Sequence, residues 1–270
     1  MPLITKISQQ KRDSERYNIF LDDQYAFSVH ETVLVKFELT KGMELDDWST
    51  DEIVYSDQIE KAFNRALHFL SFRMRSEMEV KKKLLEKEYG EAVVLEAIVK
   101  LKRLGFLNDE AFSEALVRTE KNSTLKGPRA IQQSLYKKGI PKELQTQALE
   151  EYTMEDQMAN AMKLAEKTMR SNSSQPPAQV KQKIQNSLAR KGFSYQQISE
   201  VLSNLTIERD EEEWSDITSA FGEKAWRRYQ SKYSGSDLRQ RVKQSMYQKG
   251  IPLSQIDQFI EQKRNEEDGY

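Results

Sequence analysis

Residues 131–141 (IQQSLYKKGIP), 184–194 (IQNSLARKGFS) and 242–252 (VKQSMYQKGIP) align position for position. Each carries an apolar pair four residues apart (Ile131/Leu135, Ile184/Leu188, Val242/Met246), a basic end, a glycine, one apolar residue and then Pro or Ser. Physically this is a helix stop followed at once by a helix start. A glycine just past the last turn accepts the left-handed conformation that closes a helix, and Lys or Arg in that turn complements the helix dipole. Pro141 and Pro252 suit the first turn of a new helix, and Ser194 with Gln197 forms a capping box. The helix that follows repeats its apolar positions too: Leu144, Ala148 and Leu149 correspond to Ile198, Val201 and Leu202, and to Ile256, Phe259 and Ile260.

The glycines at 139, 192 and 250 lie roughly 50–60 residues apart, room for three helices per unit. A fourth copy fits upstream, with Val80 and Leu84 in the paired slots, Ser76 and Glu79 as a capping box, and a first helix from Ile59 to Phe72. Its junction departs from the others, because Glu86-Lys87-Glu88-Tyr89-Gly90 replaces the Lys-Gly-Ile pattern. Before it the pattern differs. Tyr17, Ile19 and Leu21 alternate, Asp22-Asp23 offers a turn, and Tyr25, Phe27 and Val29 alternate again, which reads as a β-hairpin. Val33, Leu34 and Phe37 then have helical spacing, and residues 40–60 read as a connector. From 44 to 60 it holds Glu44, Asp46, Asp47, Asp51, Glu52, Asp57 and Glu60 and no base.

The expected architecture is therefore mainly α: tandem three-helix repeats in an elongated curved array, preceded by a small β-hairpin segment. The expected segments are 1–57, then repeats at 58–106, 107–152, 153–206 and 207–270. Composition agrees with small units. Hydrophobic residues make up 37% of the 270, charged residues 31%, and a single large core is not expected. Zero cysteines exclude disulfides, thiol catalysis and thiolate metal sites, and fit a cytoplasmic chain. No stretch approaches a membrane span, and the first residues lack the apolar run of a signal peptide.

The 42 Lys and Arg nearly cancel the 43 Asp and Glu, yet the charge is sorted along the chain. Residues 118–142 hold seven bases against Glu120, while 143–156 hold five acids and no base. Residues 170–198 hold five bases and no acid, and 224–249 hold eight bases against Asp237 after an acidic block at 208–213. Base gathers on the second helix of each repeat. If those helices share a face they form a basic track for a phosphate backbone or an acidic protein surface, with salt-sensitive binding and no sequence preference. The candidate contacts are Arg73, Arg75, Lys81, Lys82, Lys83, Arg118, Lys126, Arg129, Lys137, Lys138, Lys181, Lys183, Arg190, Lys191, Arg239, Arg241, Lys243 and Lys249. Tyr136 and Tyr247 read as core or rim residues rather than stacking platforms.

Signals for chemistry are missing. His30 and His68 stand apart with no metal-ligand spacing, no phosphate-binding glycine loop exists, and no serine has a histidine partner in sequence context. No enzyme, cofactor or metal site is expected.

The stretch from Leu67 to Glu79, with Leu70, Ser71, Arg73, Arg75 and Ser76, followed by Lys83-Leu84 and by Leu101 to Phe112 with Leu104-Gly105-Phe106-Leu107-Asn108-Asp109, resembles the RecX regulatory family. The resemblance is strongest over about 58–150. The last two repeats carry it mainly through their Lys-Gly-Phe and Lys-Gly-Ile junctions, and the N-terminal hairpin is similar to an extension of longer members. It implies a cytoplasmic modulator of the RecA recombinase, usually an inhibitor, that lies in the groove of the RecA–DNA filament and touches single- and double-stranded DNA. A monomer is expected. No family residue is carried over to the basic set above, which rests on charge and repeat position. Two other readings stay open: a stand-alone DNA-binding protein of helix-turn-helix-like units, separable by footprinting on duplex without RecA, and a Mg²⁺-dependent nuclease using the acidic runs, separable by incubating single-stranded DNA with metal.

Overall fold

The computed structural model describes residues 1–268. Three strands, β1 (Ile4–Gln9), β2 (Arg16–Leu21) and β3 (Gln24–His30), form one antiparallel sheet in the order β1-β2-β3. The β2–β3 hairpin turns at Asp22 and Asp23, both at positive φ (47° and 65°), the backbone that a two-residue hairpin turn requires. The sequence reading found this hairpin and missed β1. The register of β1 against β2 shifts between Ile4 and Lys6, so its inward residues Ile4 and Ile7 are three apart and the two-residue alternation is lost.

Helix α1 (Glu31–Lys36) follows the sheet, and α2 (Asp47–Leu70) runs for 24 residues. The expected connector of 40–60 is thus helical from 47 onward, and the expected helix of 59–72 begins at 47. The acids explain the difference. Asp46 is the N-cap, accepting from the Ser49 amide at 2.7 Å, and Asp47 lies in the first turn where the dipole favours it. Asp57 points inward. Its carboxylate accepts from Arg16 Nη2 (2.9 Å), Lys61 Nζ (2.9 Å) and the His30 amide (2.9 Å), tying α2 to the sheet. Burial works against this carboxylate, and the hydrogen bonds outweigh it, holding Asp57 below the usual aspartate range. Glu60 pairs with Lys100. Ile4, Ile19, Val29, Val33, Leu39, Leu45 and Ile53 form the core beneath the sheet.

The remaining helices come in threes. Helices α3 (Glu77–Leu85) and α4 (Glu91–Arg103) pack with the second half of α2 around Phe63, Val80, Leu84, Val94 and Leu101. Next are α5 (Asp109–Ser123), α6 (Pro128–Lys137) and α7 (Lys142–Glu150). Helices α8 (Met154–Arg170), α9 (Pro177–Arg190) and α10 (Tyr195–Asn204) enclose Val180, Ile184, Leu188 and Phe193. Helices α11 (Glu211–Tyr229), α12 (Gly235–Gln248) and α13 (Leu253–Asp268) enclose Trp226, Val242, Met246 and Ile256. The chain divides into two compact units, residues 1–115 with 135–148, and residues 116–134 with 149 onward.

The repeated sequence positions behave as their spacing implies. Every residue of the apolar pairs, and Ile140, Phe193 and Ile251 after the glycines, is at most 3% exposed. Gly139, Gly192 and Gly250 take φ of 74°, 87° and 84°. Each closes its helix with the two-bond pattern of a glycine stop: Phe193 N–H donates to Leu188 O (3.2 Å) and Gly192 N–H to Ala189 O (3.0 Å), with the same bonds after α6 and α12. In the first repeat Glu88 occupies the left-handed position (φ 63°) and the Tyr89 amide reaches back to Leu84 O at 3.4 Å. Gly90 is instead the N-cap of α4, at an ordinary φ of −61°.

These glycine turns are also joints. Each abuts the N-terminus of the second helix of the preceding repeat. Ser76, the buried N-cap of α3, donates its hydroxyl to Lys138 O at 2.7 Å, at the turn closed by Gly139. At the start of α6, Gly127 N–H donates to Lys191 O (2.7 Å) and Arg129 N–H to Gly192 O (3.3 Å). At the start of α9, Gln179 Nε2 donates to Lys249 O (2.8 Å), beside Gly250. At α6, backbone donors left unpaired at the helix start meet carbonyls left unpaired at another helix end, and at α3 and α9 a side chain of the first turn or cap reaches such a carbonyl instead. The approach leaves no room for a side chain: a Cβ on Gly192 would stand 2.4 Å from Ala130 N, and one on Gly127 would stand 2.7 Å from the Gly192 carbonyl carbon.

Gly192→Ala should therefore lower unfolding stability by about 3 kcal/mol or more, from left-handed strain plus a backbone collision. Gly105→Ala is the control, with φ 77° and nothing within 4 Å of its would-be Cβ, and should cost only about 1 kcal/mol. Urea-unfolding midpoints of the full chain check this, and equal losses in the two variants would show that the joint contributes nothing.

Candidate functional site

Each joint carries a cleft, and bases line all three. The first, ≈ 390 Å³, lies between the start of α3 and the end of α6, where Lys82, Lys83, Lys137 and Lys138 meet Glu79, Glu86, Phe69 and Met78. The second, ≈ 400 Å³, lies between the start of α6 and the end of α9, with Arg129, Arg190, Gln133, Gln185 and Tyr195 on its walls. The third, ≈ 340 Å³, lies between the start of α9, the middle of α11 and the end of α12, and holds Gln179, Lys224, Arg228 and Lys249 over Phe221, Ala225 and Met246.

The first cleft is the most tightly wired. Glu79 sits at the third position of α3, and its Oε2 accepts from the Ser76 amide (3.2 Å) while the Ser76 hydroxyl accepts from the Glu79 amide (3.3 Å). Its Oε1 accepts from Lys138 Nζ (2.7 Å) and Arg73 Nη2 (2.9 Å). Burial raises the Glu79 pKa, but hydrogen bonds from Lys138, Arg73 and the Ser76 amide prevail and bring it from 4.5 to about 2. One carboxylate therefore absorbs charge from two of the expected polyanion contacts. Lys83 also has an acid close by, Glu86 at 3.4 Å. Arg75 stacks over Phe69, 4.2 Å from the ring centre.

The other expected contacts divide by what holds them. Lys126 pairs with Glu120 at 2.6 Å, Lys243 with Asp257 at 2.7 Å and Arg239 with Glu267 at 3.4 Å, so each already has a counter-charge. Lys191 Nζ donates to Thr124 O (2.7 Å) and Lys183 Nζ to Asn172 Oδ1 (2.6 Å). Arg241 lies over Tyr233 at 5.2 Å. Lys81 is half-buried, and Arg118 and Lys181 are exposed, away from the three clefts. Among the described residues, Lys82, Lys137, Arg129, Arg190 and Lys249 line the clefts with no carboxylate within ion-pair distance.

Two contributors were missed by the sequence reading. Lys224 and Arg228, part of the basic stretch 224–249 but outside the expected contact set, lie four apart on α11, a first rather than a second helix. That i,i+4 spacing was the available signal. Of the core and rim places expected for the two tyrosines, the core is excluded: Tyr136 is 75% exposed and Tyr247 62%, because each follows a core residue on its helix by one position and so turns about 100° away from the core. The acidic run Glu211-Glu212-Glu213 is the first turn of α11, with Glu213 closing a capping box on Asp210. Among the described residues no three His, Asp or Glu side chains converge in a metal-holding group, and no helix is long and apolar enough to cross a membrane.

Family comparison matches the chain along most of its length. Residues 2–46 match the regulatory protein RecX N-terminal domain, 62–101 the first three-helix domain of RecX and 108–149 the second. The third three-helix domain matches twice, at 155–202 and at 211–260. The chain belongs to the RecX family. Among its relatives, regulatory protein RecX of Bacillus subtilis (strain 168) is 44% identical over 97% of this chain and 99% of its own length. Regulatory protein RecX of Bacillus velezensis is 42% identical over the same shares. A crystal structure of regulatory protein RecX superposes with a TM-score of 0.67 at 40% identity, covering 76% of this chain and all of that one. A crystal structure of RecX from Lactobacillus salivarius gives 0.52 at 37% identity, covering 56% of this chain and 97% of that one. A RecX regulatory role follows, and the double match makes the last two repeats copies of one kind of module.

The lowered Glu79 pKa has a sign. Stability from this carboxylate is fully present above 4.5 and is lost as pH falls from there toward about 2. Glu79→Gln should remove about 2–3 kcal/mol of stability at neutral pH and flatten the pH dependence across that window. Urea midpoints between pH 7 and pH 2 check this, and parallel curves for the two proteins would show that Glu79 is not wired as described.

Proposed function

We propose that this RecX-family chain regulates the RecA recombinase in DNA repair and recombination. It lies as a cytoplasmic monomer along the groove of the RecA–DNA filament and slows ATP hydrolysis and strand exchange, with no catalysis of its own. The observation that carries the reading is the recurrence of a base-lined cleft at three glycine joints, since a filament presents its own charge repeatedly. Contacts that are weak singly act together when linked on one chain, so affinity builds without a single dominant site. Lysines and arginines that neutralise phosphates release counterions, and the binding should weaken with salt whatever the DNA sequence.

The stand-alone, sequence-reading alternative has less support. A helix-turn-helix unit reads base edges from its last helix. Of the last helices, α10 contains no Lys or Arg and its Gln197 is buried in the capping box, while in α4 and α13 Lys100, Lys102 and Lys263 are already paired with Glu60, Glu77 and Glu223. Footprinting on duplex DNA without RecA should give uniform protection.

The direct test adds the purified chain to RecA on single-stranded DNA and follows ATP hydrolysis. Slowing at or below equimolar ratio is expected, and an unchanged rate over that range would contradict the inhibitory reading.

A further inference from the structure

The last two repeats match the same family domain, so their equivalent positions can be compared. Counted from the N-caps Thr153 of α8 and Asp210 of α11, Met158 corresponds to Ser215, Ala161 to Thr218 and Met162 to Ser219. Counted from the closing glycines, Gln197 of α10 corresponds to Gln255 of α13, Glu200 to Gln258 and Asn204 to Gln262. In the third repeat Met158 and Met162 pack against the core, and Gln197 Nε2 donates to Gln157 Oε1 at 2.7 Å. In the fourth, serines replace both methionines, and Trp214 stands where Gln157 does, so Gln255 lacks that partner. Between α11 and α13 these changes leave a cavity of ≈ 280 Å³, walled by the α11 hydroxyls and the α13 carboxamides together with Glu211 and Phe259. Thr218 on its wall is 4% exposed, and its hydroxyl has no hydrogen-bond partner. A threonine inside a helix can return its hydroxyl to the carbonyl four residues back, as Thr168 does to Leu164 O at 2.8 Å, and Thr218 does not.

The walls decide what the cavity can hold. No Lys, Arg or His lines it, so nothing there balances an anion. Glu211 is its one carboxylate, and the volume is several times the roughly 30 Å³ share of a single water, far more than a bare cation fills. An apolar ligand would strand the hydroxyls and carboxamides. Hydroxyls and carboxamides both donate and accept, whereas a carboxylate only accepts, and a partner bearing several hydroxyl groups answers all of them. We propose that the α11–α13 cavity is a binding site for a small neutral polyhydroxylated molecule, a sugar or cyclic polyol. The buried Thr218 hydroxyl bonds one ligand hydroxyl, the carboxamides of Gln255 and Gln258 bond others, and Glu211 accepts from another. A peptide segment would bring side chains with it, and Phe259 is the one apolar side chain on the walls to receive them. The cavity shares no lining residue with the three basic clefts, and the proposal does not depend on the regulatory reading.

The test is saturation-transfer-difference NMR of the full chain with D-glucose, D-ribose, trehalose and myo-inositol in turn, followed by calorimetry on those that respond. At least one should bind with a Kd of about a millimolar or tighter. Ser215→Met/Ser219→Met restores the methionines of the third repeat and should abolish the signal. Thr218→Val should weaken binding roughly three- to tenfold, the effect of one hydrogen bond, and should leave the thermal midpoint of the ligand-free chain unchanged or raise it, because it removes an unpaired buried hydroxyl. Sugars stabilise folded proteins in general by exclusion from their surface, so binding is read from NMR and calorimetry and not from a melting shift. The proposal is overturned if none of the four compounds binds with a Kd below about 10 mM, or if Thr218→Val binds as tightly as the parent. It is also overturned if the methionine variant, folded as the parent by circular dichroism, still binds, or if N-acetylglycine methylamide binds more tightly than the sugars and displaces them, which would give the cavity to a peptide main chain.

Discussion

The close approach between a glycine-closed helix end and the start of another helix is the constraint on which this structure depends. At Gly192 the fit is tightest, with two backbone hydrogen bonds from Gly127 and Arg129 and no space for a single methyl group. The joint requires glycine twice over, for its left-handed φ and for its missing side chain. It also settles an accounting problem, because a helix start has donors and a helix end has acceptors that the helix cannot pair internally.

The rule that ends the helices also loads the joints with charge. Lys and Arg favour the last turn of a helix because they complement its dipole. Lys137 and Lys138, Arg190 and Lys191, and Lys249 obey that rule, and the joint then sets them against residues from the start of another helix. Helix termination thus supplies bases to every joint, and Arg129 at the start of α6 and Lys224 and Arg228 within α11 add to them. What distinguishes the clefts is the acid admitted to them: Glu79 in the first serves cap, counter-ion and joint together, and the third has no equivalent.

Local features were legible in the sequence and non-local ones were not. The apolar pairs and glycine stops fixed α6, α9 and α12, because each signal is complete within a dozen residues. The start of α2 at Asp47 was missed because its acids cap the helix, as Asp46 does, or pair across the fold, as Asp57 does with Arg16 and Glu60 with Lys100. Strand β1 was hidden by its register shift, and Glu88 takes a left-handed position that sequence reasoning reserves for glycine. The basic residues were found and their states were not. Nothing near Lys138 in sequence announces Glu79, and nothing near Lys249 announces Lys224 and Arg228, because the joints bring together residues far apart along the chain.

The most direct test of the account is a cryo-electron-microscopy structure of the chain bound to a RecA filament on single-stranded DNA. The account predicts that the joint clefts, at Lys82 and Lys137, at Arg129 and Arg190, and at Lys224, Arg228 and Lys249, face the filament and contact its phosphates or acidic side chains. A complex in which those clefts face solvent, with contacts made through the β1–β3 sheet or through α7, α10 and α13, would contradict it.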